Sequence, residues 1–192
     1  MQELPARQVW VPALMLVIGL AAGVVTGALT NAVNGLISPL YFETIMGWDP
    51  PFVWLMSIEQ GMLEGAVLGL FFGLVVAMSF AVSTGLRGPL RLAGGALTRA
   101  TAVCLICWAI GGSIAVALAA TQPSWYASTF VGVPGDPGER ARYAWVGGSI
   151  WGAYGGTFIA AVVACVWQHL RWRRLRPARA GFPVLLGDGR TR

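Results

Sequence analysis

Residues 57–80 read SIEQGMLEGAVLGLFFGLVVAMSF, and beyond Glu64 no charge appears until Arg87. A membrane-spanning helix needs about 20 mostly apolar residues, so this stretch is long enough to be one. Glycine recurs in it at Gly61, Gly65, Gly69 and Gly73. Residues four apart share one helix face. A smooth face of that kind lets two backbones approach closely, so that van der Waals contact replaces the hydrophobic effect that lipid cannot supply.

Three more runs look alike, and the four apolar cores are Trp10–Leu29, Ser57–Phe80, Ala100–Ala120 and Val146–Gln168. Spanning strands would be only about 9–11 residues long and would alternate in polarity; these runs are longer and do not alternate. Helix 1 carries Gly19, Gly23 and Gly27. Helix 4 carries Gly148, Gly152 and Gly156, continued by Ala160 and Ala164. Helix 3 has a softer stripe of Cys107, Gly111, Ala115 and Ala119. Of the 192 residues, 56% are hydrophobic and 11% charged, against about 25% charged in soluble domains. The expected fold is all-α, an integral membrane bundle of four transmembrane helices. The first apolar run exceeds the usual signal-peptide core of roughly 7–15 residues, so it is read as a retained helix.

All 13 basic residues are arginines. Arg171, Arg173, Arg174, Arg176 and Arg179 follow helix 4, while Arg87, Arg91 and Arg99 lie between helices 2 and 3. The link between helices 1 and 2 has none. Arg140 and Arg142 in the 3–4 link are balanced by Asp136 and Glu139. Basic residues near helix ends favour the cytoplasmic side. Both termini are therefore expected in the cytoplasm, and the arginine run suits anionic lipid headgroups rather than nucleic acid.

The two outer links echo one another. Ser38-Pro39-Leu40-Tyr41-Phe42 with Gly47-Trp48 parallels Gln122-Pro123-Ser124-Trp125-Tyr126 with Gly132-Val133. Each is followed by a helix containing Ser-Ile, at Ser57-Ile58 and Ser149-Ile150. Two tandem parallel helical-hairpin repeats are expected, each with an outer interfacial segment. Residues 1–8 form the cytoplasmic N-terminus and 9–83 the first hairpin, with its outer link at about 36–54. A cytoplasmic link at 84–95 leads to the second hairpin, 96–170, with its outer link at about 121–143 and a basic tail at 171–192. Ser38 is expected to cap a short helix that opens on Pro39. The aromatics of both links suit an interfacial belt.

One polar group belongs to the first repeat only: Thr30, Asn31 and Asn34 at the end of helix 1, and Glu59, Gln60 and Glu64 at the start of helix 2. On the Ser-Ile match, the second repeat is plain at these places. An intramembrane acid marks a functional site by default. Its depth reads two ways. Counting back from Ser83 puts Glu64 near the outer boundary; matching Ser57 to Ser149 puts it about 10 Å inside. Inside, its partner would be Asn31, Asn34, Gln60 or a bound cation. Cys104, Cys107, Cys165 and His169 all lie toward the other end, but their spacing matches no paired metal motif, so no metal or cofactor is expected. Nucleophile elbow, zinc-helix, P-loop and dinucleotide signatures are missing, and the chain is not read as an enzyme.

Two stretches carry a resemblance: GALTNAVNG at 27–35 with Ser38-Pro39, and YAWVGGSIWG at 143–152. They resemble an uncharacterised family of multi-pass, four-helix membrane proteins in bacterial genomes, to which no activity is assigned. The resemblance implies a bacterial inner (plasma) membrane location and carries over no functional residue. The function expected is a small ion, proton or solute pathway in a homo-oligomer, with the polar cluster as its mouth. The alternatives are an accessory or scaffolding subunit docked on a membrane protein partner, and, less favoured, a membrane-embedded enzyme.

Overall fold

The computed structural model describes residues 7–175, and proline and glycine set the ends of its elements. Helix α1 (Val11–Ile37) stops at Ser38, whose backbone is extended, and α2 (Pro39–Met46) opens on the proline. A residue before proline is driven out of the helical region by the ring. The same break recurs at Gln122, between α4 (Leu90–Thr121) and α5 (Pro123–Thr129). Helix α3 (Val53–Thr84) ends on Gly85 in the left-handed region, φ 59°, the conformation glycine adopts most readily. Helix α6 runs Pro137–Leu175. The two halves thus share one order: long helix, short helix, long helix.

Helices α1, α3, α4 and α6 are long and apolar enough to cross a membrane. Their outward side chains are apolar; Val82 is 86% and Leu63 64% exposed. The interior is built largely from glycine and alanine. Such a surface needs lipid around it.

Within each half the long helices pair through the expected stripes. Gly19 faces Gly69 and Gly73, Gly23 faces Gly65 and Gly69, and Gly27 faces Gly61 and Gly65. In the second half Gly111 faces Gly148 and Gly152, and Cys107 lies against Gly152 and Gly156. A Cβ on Gly23 would run into the Gly65 carbonyl oxygen. The two hairpins then meet mainly along α3 and α6.

These contacts correct the expected register between the halves. Gly61 takes the place of Gly148, so Ser57 matches Ala144, not Ser149. Glu59, Gln60 and Glu64 match Val146, Gly147 and Trp151. On this register Phe71 matches Phe158, and those two rings touch, with centroids 5.8 Å apart.

Several boundaries also move. The link expected at 84–95 is short, because α4 already starts at Leu90 and carries Arg91 and Arg99. The second outer link is shorter than 121–143. Asp136 accepts a hydrogen bond from the Glu139 N–H (2.8 Å) and starts α6 at Pro137. At the other end α6 runs on through Arg173 and Arg174, so the tail expected from 171 begins as helix. Charge does not end a helix, and cations in its last turn favour the dipole. Ser38 holds the N-cap position of α2 without a side-chain cap bond; its N–H donates to the Asn34 carbonyl (3.0 Å). Residues 1–6, Arg176, Arg179 and the polar tail at 180–192 lie outside the described residues.

The described chain ends and the α3–α4 link gather at one end of the bundle. An apolar cluster of Val11, Met15, Val76, Phe80, Leu92 and Ala164 fills it. The short helices α2 and α5 lie at the opposite end.

Candidate functional site

Of the six polar residues singled out in the sequence, Thr30, Asn31, Asn34 and Glu64 line one narrow cavity, the side-chain bonds form two groups, and Glu59 stands apart. The Thr30 hydroxyl turns back on its own helix, donating to the Thr26 carbonyl (2.9 Å), a common escape for a hydroxyl in an apolar helix. Glu59 is exposed.

The first group is a buried lock. Asn34, fully buried, donates its amide to Asn31 Oδ1 (3.3 Å). Its own Oδ1 accepts from the Ser149 hydroxyl of α6 (3.1 Å). The Ser57 hydroxyl of α3 lies within hydrogen-bonding distance of the Asn31 carbonyl, 3.1 Å, and of its own Trp54 carbonyl, 2.7 Å. Three helices are tied by side chains that lipid would not tolerate unpaired. Neither asparagine is bonded to Glu64.

The second group surrounds Glu64. Gln60 Nε2, one turn earlier on α3, donates to Glu64 Oε1 at 2.6 Å. Tyr154 of α6 lies beside the same carboxylate. Glu64 lies about 16 Å along α3 from its start, at ~1.5 Å per residue.

Glu64 sits where two cavities meet. The wider, about 880 Å³, lies at the α2 and α5 end between the two hairpins. The narrower, about 100 Å³, runs between the long helices as far as Phe72, Leu97 and Ala100. There the apolar cluster closes it. Asn31, Glu64, Ile150 and Tyr154 border both. Glu64 is the one charged residue lining either cavity among the described residues.

The aromatics of the outer links do not all form a belt. Phe42, Tyr126 and Tyr143 are buried, and Tyr41 is half-buried. The Tyr41 and Tyr143 rings lie 5.1 Å apart, and Tyr126 lies 4.5 Å from Phe130. All five line the wide cavity. Burial, and then the Glu64 carboxylate, pushes the Tyr41 phenol above its ordinary range. Burial, and then Tyr41, does the same to Tyr126. Both stay neutral around pH 7. Trp54 and Trp125 do face outward.

No family model matches this chain, and no curated protein or solved structure is significantly similar to it.

The cysteines and the histidine do not converge. Cys104 approaches the Ala153 carbonyl (3.6 Å) and the Thr157 hydroxyl, Cys165 packs on the apolar cluster and His169 is exposed. The three cysteines are free thiols, and the described residues hold no group of three metal-ligating side chains. Sequence reasoning missed Tyr154 and the bonding roles of Ser57 and Ser149. All three are polar residues inside apolar runs, which is the signal that marks them.

Proposed function

We propose that the protein is a pathway for a small ion, proton or solute across the bacterial inner membrane, with both termini in the cytoplasm. One observation carries this reading: Glu64, held by Gln60 and lying beside Tyr154, stands at the junction of a wide cavity and a narrow one that ends on an apolar plug. An ionisable group at the neck of a half-closed route is what a gated pathway requires. The glycine ladders make each hairpin a rigid unit, and the hairpins touch mainly along α3 and α6. Passage past the plug would come from rocking one hairpin against the other. The shared element order and the Phe71–Phe158 contact support descent of the halves from one duplicated hairpin. Assembly as a homo-oligomer would use the exposed apolar faces. The glycine faces on which an accessory subunit would dock a partner are occupied within the chain.

The test is flux into liposomes reconstituted with the full chain. Glu64→Gln is expected to abolish flux while the protein keeps its assembled mass in mild detergent. Unchanged flux in that variant would remove Glu64 from the mechanism.

A further inference from the structure

The wide cavity is a built site with a recognisable chemistry. Its volume, about 880 Å³, falls in the range of roughly 300–1,000 Å³ typical of small-molecule sites. Its walls are mostly apolar and rich in rings, among them Tyr41, Tyr126, Tyr143, Phe130, Trp151 and Tyr154. At the junction with the narrow cavity stands the Glu64 carboxylate, and among the described residues no arginine or histidine lines the space.

We propose that this cavity binds a monovalent hydrophobic organic cation, with Glu64 as its counter-charge and the surrounding tyrosines and Trp151 as its aromatic walls. The inference deepens the pathway reading by naming the class of solute, and it rests on that reading only for the step of transport.

Each competing ligand class fails on one feature. An anion meets a single negative charge and no positive group. Magnesium or calcium takes six or more oxygen ligands, and one carboxylate among rings cannot replace a hydration shell. A neutral lipid or apolar solute would fill the walls but leaves the carboxylate facing apolar matter, which is costly. An organic cation satisfies both. Its charge pairs with Glu64, and its delocalised or alkylated surface lies on ring faces that attract cations, Trp most strongly and Tyr next. Gln60 donates to Glu64 at 2.6 Å and orients the carboxylate beside Tyr154, at the border of both cavities.

The titratable groups around Glu64 are Tyr41 on α2, Tyr126 on α5, Tyr143 and Tyr154 on α6 and, along the narrow cavity, Cys104 on α4. Helix α1 presents the neutral Asn31 and Asn34.

The experiment is a titration of the full chain in lipid nanodiscs with tetraphenylphosphonium, with empty nanodiscs subtracted. Uncharged triphenylphosphine oxide, of similar ring content, serves as the comparison. The native protein is expected to bind the cation at least tenfold more tightly than the oxide. Glu64→Gln should lose at least tenfold in cation affinity, with oxide binding unchanged. Trp151→Leu, at an exposed position that does not hold the fold, should lose a few fold for the cation alone. Equal affinity for the two compounds, or a Glu64→Gln variant that binds the cation as well as native, overturns the proposal and makes the cavity a neutral or lipid site. No binding by folded native protein overturns it too. Cation binding without flux in liposomes sinks the pathway reading and leaves the site standing. Flux that depends on Glu64 without cation binding does the reverse.

Discussion

Asn34 is fully buried at an apolar seam, and it stays there because both ends of its amide are engaged, one within α1 and one across to α6. Its nitrogen serves Asn31 and its oxygen serves Ser149. Replacing it with alanine strands the Asn31 oxygen, while Ser149 still has the Val146 carbonyl, 3.0 Å away. Leaving a buried polar atom unpaired costs about 1–3 kcal/mol. Asn34→Ala is expected to lower the thermal midpoint in detergent clearly, and Ser149→Ala less. An Asn34→Ala protein that melts like native would show that the asparagines do not lock the helices. Gln168 makes the contrast: it is as deeply buried, yet its amide bonds no other described side chain or backbone group. At this scale the sequence marked the polar residues but not their partners. Thr30, Asn31, Asn34, Gln60 and Glu64 look alike as letters. Only the rotation of each helix sends one hydroxyl back to its own backbone and a carboxylate into a cavity.

Between elements, the glycine ladders decide how α1 meets α3 and α4 meets α6. At Gly65 an added Cβ would collide with the Gly23 carbonyl oxygen, and backbone cannot swing aside as a side chain can. Overpacking costs about 1–3 kcal/mol where side chains can adjust, so Gly65→Leu is expected to cost at least that and to part the first hairpin. Gly155 is the control, since nothing lies within 4 Å of its Cβ position and leucine there should be tolerated. Thermal melting and size exclusion in detergent compare the two; equal behaviour would mean that the ladder does not hold the pair. The ladders were legible in sequence because spacing by four is a local property. Helix ends were less so. Asp136-Pro137 and Gly88-Pro89 start helices well before the apolar cores do, since hydrophobicity marks the part of a helix in lipid and not its full length.

For the whole molecule, the question is whether the hairpins move as units. Phe71 and Phe158 meet across them. With the three native cysteines replaced, Phe71→Cys and Phe158→Cys joined by a short thiol cross-linker should stop flux, and cleaving the linker should restore it. Flux that survives cross-linking would place the moving part elsewhere. The placement of Glu64 at the meeting of two cavities is itself a property of this scale, because one wall is α3 and the facing wall is α6.

The sequence by itself determined four spans, their likeness in pairs and the faces on which each pair closes. Those follow from composition and from a period that any window of the chain displays. The tertiary structure alone decided the stagger between the halves, the inward turn of Tyr41, Tyr126 and Tyr143, and the meeting of Glu64 with Tyr154. The physical reason lies in the ladder. A stripe of glycines four apart looks the same after a slide of one turn, so it specifies contact without specifying register. In the first pair the register is settled by polar groups such as the Ser57 hydroxyl and the Asn31 carbonyl, 3.1 Å apart, which meet at one stagger and miss at the next.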